Sequence, residues 1–491
     1  MSSSNQVRVS LVKEDTYGVL PTSGVKASLV IQDLTYTAKK YGVGGNGISI
    51  AYVDGATAGS ESVAVTDKAI VVTIDDGVST ATQVKAAVDA DTDAAALVSV
   101  AVSGTGSNAQ VAAVADFLEN GAGDFKTIRF VSESLSGSPT TVESAQIRTD
   151  RLSSGQVVTG LEVGGQVSFE LAKEAALEEL MQSAMLNTWN TMALVTRALT
   201  ISGATITSVS GSFVDDGLKV GDFIQLAGFT APANNAIVML TSVAANTLGF
   251  VGNGLQVNGT GGATTYKRMD KLTIGTTPVS YAMVKEFLDL SDKAINYKGM
   301  VANEMQLTVE YGALISGSFS FNGNGYEAVE ATGDYLNDEF FVADAATTNS
   351  LNGSVDMPFV ATNISGSYSS GAFCIQTLGL QLTNNYNAQN CVGEIAPTAY
   401  TPGQASVAVN LTSYLKDSNW DMLQRKLSQD SFGLGFVVKN GGGSYAAYLP
   451  AIQVSFDDPA SGGANQDVQM EMSGSAKVGA AGESSLTLFR L

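Results

Sequence analysis

By residue type, the best candidates for chemistry in this chain are three adjacent carboxylate pairs: Asp75-Asp76, Asp215-Asp216 and Asp457-Asp458. Such pairs could hold a calcium ion or share a proton as a catalytic dyad. Each adjoins Gly or Pro, and none supplies the spaced oxygen ligands of a calcium loop. Adjacent residues of a strand also point to opposite faces. The pairs read as turns. The run GVGGNG, Gly42 to Gly47, has the glycine density of a phosphate-cradling loop. A Walker loop, however, continues into Gly-Lys-Ser/Thr, and a dinucleotide fingerprint lies between a strand and a helix. Here the strand-like ISIAYV follows, so the run is a turn. Ser153-Ser154-Gly155 has no base partner, and NGT, NLT, NGS and NIS match the glycan-acceptor pattern only as polar turns. Histidine is absent, which removes the commonest general base, the usual zinc ligand and every Ser-His or Cys-His nucleophile. No catalytic, metal or cofactor-binding residue is assigned, and no cofactor is expected.

The elements around these residues follow from composition. The chain has 491 residues, 44% hydrophobic and only 15% charged, with 52 Gly and 9 Pro. That length calls for two to four domains. The scarcity of charged helix formers, beside abundant Ser, Thr, Asn and Val, favours short strands and turns. No apolar run approaches the ~18 residues of a membrane helix, so membrane insertion is not expected. MSSSNQVRVS lacks the basic-then-apolar pattern of an export signal. The net charge of −21 argues against nucleic-acid binding, which needs clustered Lys and Arg. It suits a surface past which nucleic acid slides without sticking. Two cysteines exclude a disulfide framework; Cys374 and Cys391 read as buried thiols, with a single bridge as the alternative.

Two stretches differ from their surroundings. Residues 41–124 contain the strand-like ISIAYV, SVAVT, AIVVTI and LVSVAVSG, with a helix capped by Ser79 or Thr80 running to about Ala96 and Val84, Ala87 and Val88 on its inner face. Eleven acidic residues against Lys68 and Lys85 make this an acidic α+β module, inserted into a larger pattern. Residues 197–268 hold ATITSV, DFIQLAGF, AIVMLTSV and TLGFVG at even spacing, as in a small β-barrel or sandwich.

Around these insertions a strand-then-helix unit occurs twice. LEVGGQVSFELAKEAALEELMQSAML begins at Leu161, and TPGQASVAVNLTSYLKDSNWDMLQRKLSQ begins at Thr401. Gly165-Gln166-Val167-Ser168-Phe169 aligns with Gly403-Gln404-Ala405-Ser406-Val407. Glu179-Leu180-Met181-Gln182 aligns with Asp421-Met422-Leu423-Gln424, and Met185 with Leu427. Each helix is followed by an alternating hairpin. Gln306, Leu307 and Val309 align there with Gln453, Val454 and Phe456, and Phe319 and Phe321 with Met470 and Met472. Strict alternation buries one face: Ile315, Gly317, Phe319 and Phe321 face a core, as do Met470 and Met472. Ser316, Ser318, Ser320 and Glu471 face the other way. Trp189 and Trp420, in or near the helices, read as core or interface anchors.

In VESAQIRTDRLSSGQVVTGLEVGGQVSFEL, ALEELMQSAM, YKGMVANEMQLTVEYGALISGSFSFNGNGYEA and GFVVKNGGGSYAAYLPAIQVSFDDPASGGANQDVQMEMSGSAKV, taken in order, the chain resembles the tail tube (major tail) proteins of long-tailed non-contractile bacteriophages. The resemblance implies a mainly β fold: a duplicated tail-tube β-sandwich or barrel with flanking α-helices and two small inserted domains, one α+β and one β. The first tube domain would comprise 1–40, 125–196 and 269–335, interrupted by the modules at 41–124 and 197–268, and the second would be 336–491. Both modules would lie on the outer surface. Subunits of the family join sheets edge to edge into rings lining a DNA channel. The duplication implies a trimeric ring mimicking sixfold symmetry, with a hexameric ring as the alternative. Ser316, Ser318, Ser320 and Glu471 would line the channel. Rings would stack through long loops and an N-terminal arm, Met1 to Asp15 with Val7, Val9 and Leu11. Implied partners are further copies of this chain, tape-measure protein and DNA in the lumen, and terminator and distal tail proteins at the ends, in a virion tail assembled in the host cytoplasm. Competing readings are a β-rich surface-layer protein or adhesin, and a tail-associated glycan hydrolase with paired carboxylates.

Overall fold

A computed structural model describes residues 6–19, 25–41, 43–121, 125–146, 149–150, 152, 155–252, 255, 264–290, 293–330, 341–342, 349–364, 367–370, 373–441, 443–459, 463–464 and 466–491. The chain is mainly β and divides into two compact units. One comprises residues 1–128, 281–299 and 325–344; the other holds the remainder.

In the first unit Val7–Lys13 lies between Tyr281–Phe287 and Phe125–Ile128. Val9 and Leu11 are completely buried. This corrects the expectation of a ring-stacking N-terminal arm: Val7, Val9 and Leu11 belong to a strand paired on both edges, in which Val9, Ser10, Leu11 and Val12 are all buried within this unit. Asp15, just beyond, is exposed, and Met1 falls outside the described residues. The α+β module also starts earlier than expected. Its core takes in Ala27, Ile31, Leu34, Tyr36 and Ala38 together with Ile50, Tyr52, Val72, Val84 and Val88. The strands Lys26–Ile31 and Leu34–Tyr41 therefore pack inside it, the latter pairing with Val98–Val102. Thr80 caps its first helix, Ala81–Ala90, in a box with Gln83. The helix is not continuous to Ala96, because Asp91 stops it and caps a second one, Thr92–Leu97.

At the centre of the module the Tyr36 and Tyr52 hydroxyls meet at 2.8 Å. Burial raises both phenols, Tyr52 to about 12. Their neutral forms are favoured in the fold, so the stability they lend is complete below the ordinary tyrosine value near 10 and lost as pH rises through about 12. An alkaline titration followed by tyrosinate absorbance and circular dichroism should show these two ionising only as the module unfolds. Ionisation of every tyrosine at its ordinary value with the fold intact would refute this.

The second unit is built on one sheet of eight strands: β1 (Ser136–Glu143), β2 (Gln156–Glu170), β3 (the Met300–Glu310 half of the strand Lys293–Glu310), β4 (Ser316–Gly323), β5 (Ile375–Thr383), β6 (Ser406–Tyr414), β7 (Gly443–Ser455) and β8 (Gln469–Lys477). Their order across the sheet is β1, β2, β4, β3, β5, β6, β8, β7, antiparallel throughout. The helices α1 (Ala175–Met185) and α2 (Met422–Ser428) follow β2 and β6. The β3–β5 ladder joins the two repeats into one sheet. A second sheet joins the first half of β7 to Phe432–Asn440, Thr487–Arg490, Asp270–Thr273 and Phe359–Thr362. Phe169, Met305, Leu380, Phe436 and Leu488 line the space within this unit's core.

The β module closes around Leu199, Ile206, Phe213, Ile224, Leu240 and Tyr266. It is docked, not merely tethered: Phe223, Ile237 and Met239 pack on Phe359, Val437, Tyr448 and Phe489 of the second sheet. Asp222, fully buried, pairs with Lys271 at 2.7 Å and accepts the Lys219 N–H at 2.9 Å. Asp222→Ala would leave the lysine uncompensated and should cost about 3–5 kcal/mol, measured by chemical denaturation; an unchanged midpoint would show that the pair does not hold the junction.

Candidate channel-facing surface

The eight-stranded sheet has one apolar and one polar face. Val163, Val167 and Phe169 of β2 point into the core with Phe319 and Phe321 of β4, Leu378, Leu380 and Leu382 of β5, Val407, Val409 and Leu411 of β6, and Met470 and Met472 of β8. The opposite face runs in level rows. Glu170, Ser316, Thr308, Gly379, Asn410, Ser473 and Ser455 oppose one another strand by strand. Glu310, Thr377, Thr412 and Glu471 form the next row. On β2 to β8 this face carries Glu162, Glu170, Glu304, Glu310 and Glu471 against Lys477 alone. It is small, hydroxylated and acidic.

The repeat is exact enough to be placed by two hydrogen bonds. Leu171 N–H donates to the Ile315 carbonyl at 2.8 Å, where β2 leaves the sheet, and Leu415 N–H donates to the Val468 carbonyl at 2.9 Å, where β6 leaves it. Leu171 thus corresponds to Leu415, and Ile315 to Val468. The sequence alignment is corrected accordingly. Ser168 corresponds to Thr412, six residues beyond Ser406; Phe319 corresponds to Met472, two beyond Met470; and Glu304 corresponds to Ser455, four beyond the expected partner. Every slip is even, so each residue keeps the face assigned to it.

Edges complete the picture. Among the described residues β1 pairs only with β2, and from Gln453 onward β7 pairs only with β8. The sheet therefore ends in two unsatisfied margins.

A family description of phage tail tube proteins matches residues 4–476. This chain belongs to the phage tail tube protein family. No curated protein matches it. Membership makes it a structural protein of the phage tail.

In this tail tube protein, Phe319, Phe321, Met470 and Met472 are buried, and Phe169 stacks on Phe319 at 5.1 Å between ring centres. Ser316 and Glu471 are exposed, Ser320 is half-buried, and Ser318 is covered because Gln166 Nε2 donates to its hydroxyl at 2.8 Å. Trp189 is held, its indole N–H donating to the Glu178 carbonyl at 3.1 Å with the Arg490 guanidinium stacked on its ring. Burial raises the Glu178 carboxyl against the opposing pull of Arg490 and Lys173. Trp420 is exposed and anchors no core.

The acidic pairs do structural work. Asp75 and Asp76 accept the backbone N–H groups of Ala58 and Ala112, Asp216 pairs with Arg197 at 2.6 Å, and Asp458 pairs with Lys426 at 2.8 Å. The Asn46 side chain ties the GVGGNG turn to Gly121. No cluster of three potential metal ligands exists among the described residues, and Ser153-Ser154 lie outside them. Cys374 and Cys391 are neither buried nor bridged; both are exposed free thiols.

The residues missed from sequence were Glu162, Glu170, Glu304 and Glu310, and the whole of β5. Their signal was present: LEVGGQVSFE, ANEMQLTVE and IQTLGLQLT all alternate. Gly317 and Gly474 are also more than turn formers. A Cβ on Gly317 would meet the Gln306 carbonyl at 2.4 Å and the Phe169 ring at 2.6 Å, and one on Gly474 would meet the Gln453 carbonyl at 2.4 Å. Gly317→Ala and Gly474→Ala should each destabilise the protein by roughly 1–3 kcal/mol through overpacking, read from denaturant midpoints. Wild-type midpoints would mean that the strands separate without cost.

Proposed function

We propose that three copies of this chain join their sheets, margin to margin, into a ring of twenty-four strands whose acidic, serine-rich face lines a channel, and that rings stack into the hollow tail tube that conducts DNA from capsid to host. The observation that carries this reading is the pairing of two open margins with one polar face on a sheet that repeats internally. Water does not satisfy a long margin as well as another strand does, and a closed wall leaves no margin at all.

The geometry of closure supports it. A level row starting at Ser168 passes through Ser318, Gln306 and Gln381 to Ala408, four residues short of Thr412, the counterpart of Ser168. Each four-strand repeat therefore climbs four residues. With a rise of about 3.3 Å per residue and strands about 4.7 Å apart, that climb is a tilt of about 35°, in the range of closed barrels. Twenty-four strands at that tilt enclose a backbone diameter of roughly 44 Å, wide enough for a duplex. The β module, docked on the second sheet, would then lie outside the tube.

Two hairpins support stacking. β1 and β2 extend past the sheet with Val142, Val157 and Val158 exposed. The β5–β6 pair continues in the same direction into Asn387–Gln389 and Ala399–Thr401, with Val392 and Ile395 exposed beyond. The two ribbons are tied within the chain, Leu161 N–H donating to the Ile395 carbonyl at 2.6 Å, but ribbons that leave the sheet have little core of their own, so a neighbouring ring is their natural support. Tape-measure protein would fill the bore before DNA, with terminator and distal tail proteins at the ends and assembly in the host cytoplasm.

Concentrated protein should polymerise into hollow tubes in negative stain, with threefold symmetry in end-on averages. True sixfold averages of six copies, or compact particles that never polymerise, would overturn the trimeric ring and the tube respectively. Converting Glu304, Glu310 and Glu471 to Lys should leave tubes intact but make them retain DNA in a salt-dependent way; tubes that remain inert would show that the face lies elsewhere.

A further inference from the structure

The molecule contains a template for its own contact with the next copy. Resting on the ring reading above, we propose that the seam between neighbouring copies repeats the internal β3–β5 seam, with β7 of one copy antiparallel to β1 of the next, Ser455 opposite Ser138 and Asp457 opposite Ser136. Inside the chain, Glu304 faces Thr383 and Gln306 faces Gln381. The two exit hydrogen bonds convert these residues into their counterparts. Glu304 faces Ser320 and Ser455 faces Ser473, which makes Ser455 the counterpart of Glu304. Thr383 faces Ser406, the counterpart of Glu162, and Glu162 faces Ser138, which makes Ser138 the counterpart of Thr383. The same steps take Gln381 through Ala408 and Gly164 to Ser136.

Three features fit this register. Ser136, Ser138, Ser455 and Asp457 are all exposed. Phe432 sits opposite Ile452 on the margin of β7, so pairing with another copy is open only from Gln453 onward, where the template places it. On β1, Pro139 stands where the template has Asn384, whose N–H donates to the Asn303 carbonyl at 2.8 Å; without an N–H it ends the copy seam one bond earlier, in keeping with the confinement of proline to strand margins. A level wall without climb would instead set Gln453 opposite Ser132, just before β1, eight residues from Thr140, which faces it in the proposed register, so the two registers are separable.

The test is a cysteine pair in a Cys374→Ser, Cys391→Ser background. Paired Cα atoms in a ladder lie about 5.5 Å apart, within disulfide reach. Ser138→Cys with Ser455→Cys should oxidise in assembled tubes into covalent species that stop at three chains on a non-reducing gel. Ser132→Cys with Gln453→Cys should give at least tenfold less. Efficient bridging of the second pair, or of neither while tubes of normal diameter form, overturns the register and leaves the ring reading standing. Failure of the parent protein to assemble at all overturns the ring reading itself.

Discussion

The hydrogen-bonded seam between β3 and β5 is the constraint on which the structure depends. It turns two four-stranded repeats into one surface and gives that surface a single polar face. Among the described residues it leaves this sheet with open margins at β1 and at the end of β7. Backbone N–H and C=O groups at a sheet margin are a standing invitation to another strand. The proposed ring rests on these two open margins.

The core serves that seam. Phe169 against Phe319, the methionines of β8 and the leucines of β5 hold the sheet on its apolar side, and Gly317 and Gly474 let backbone approach backbone where β3 meets β4 and β7 meets β8. Long strands that change partners do the rest. β7 pairs in the second sheet through its first half and in the eight-stranded sheet through its second. The β module is welded to that second sheet by Phe223 and Met239 and by the Asp222–Lys271 pair. Among the described residues the polar face carries hydroxyls and carboxylates, with Glu170, Glu310 and Glu471 exposed.

Much of this was legible in the residues. Alternation in ISGSFSFNG put Phe319 and Phe321 inward, and the strand-to-helix switch after Phe169 and again after Tyr414 marked the repeat. Weak similarity could not set the register, and the alignment slipped by two, four and six residues; faces survived because side chains alternate with period two. The alternating strand Val7–Lys13 was misplaced as an arm, since periodicity says that a strand has a buried face without saying whose core buries it. The module's border was drawn at residue 41 for a similar reason: Leu34–Tyr41 looks like any strand until its contact with Tyr52 is known.

The amino-acid sequence alone determined the absence of histidine chemistry, the acidic balance, the strand class and the inward or outward sense of most strand residues, because these depend on residue type and local period. Tertiary structure decided which strands are neighbours, how far each repeat climbs, and which margins stay open. Those are properties of long-range hydrogen bonds between residues up to hundreds of positions apart, such as Gln166 with Ser318, and no local pattern encodes them.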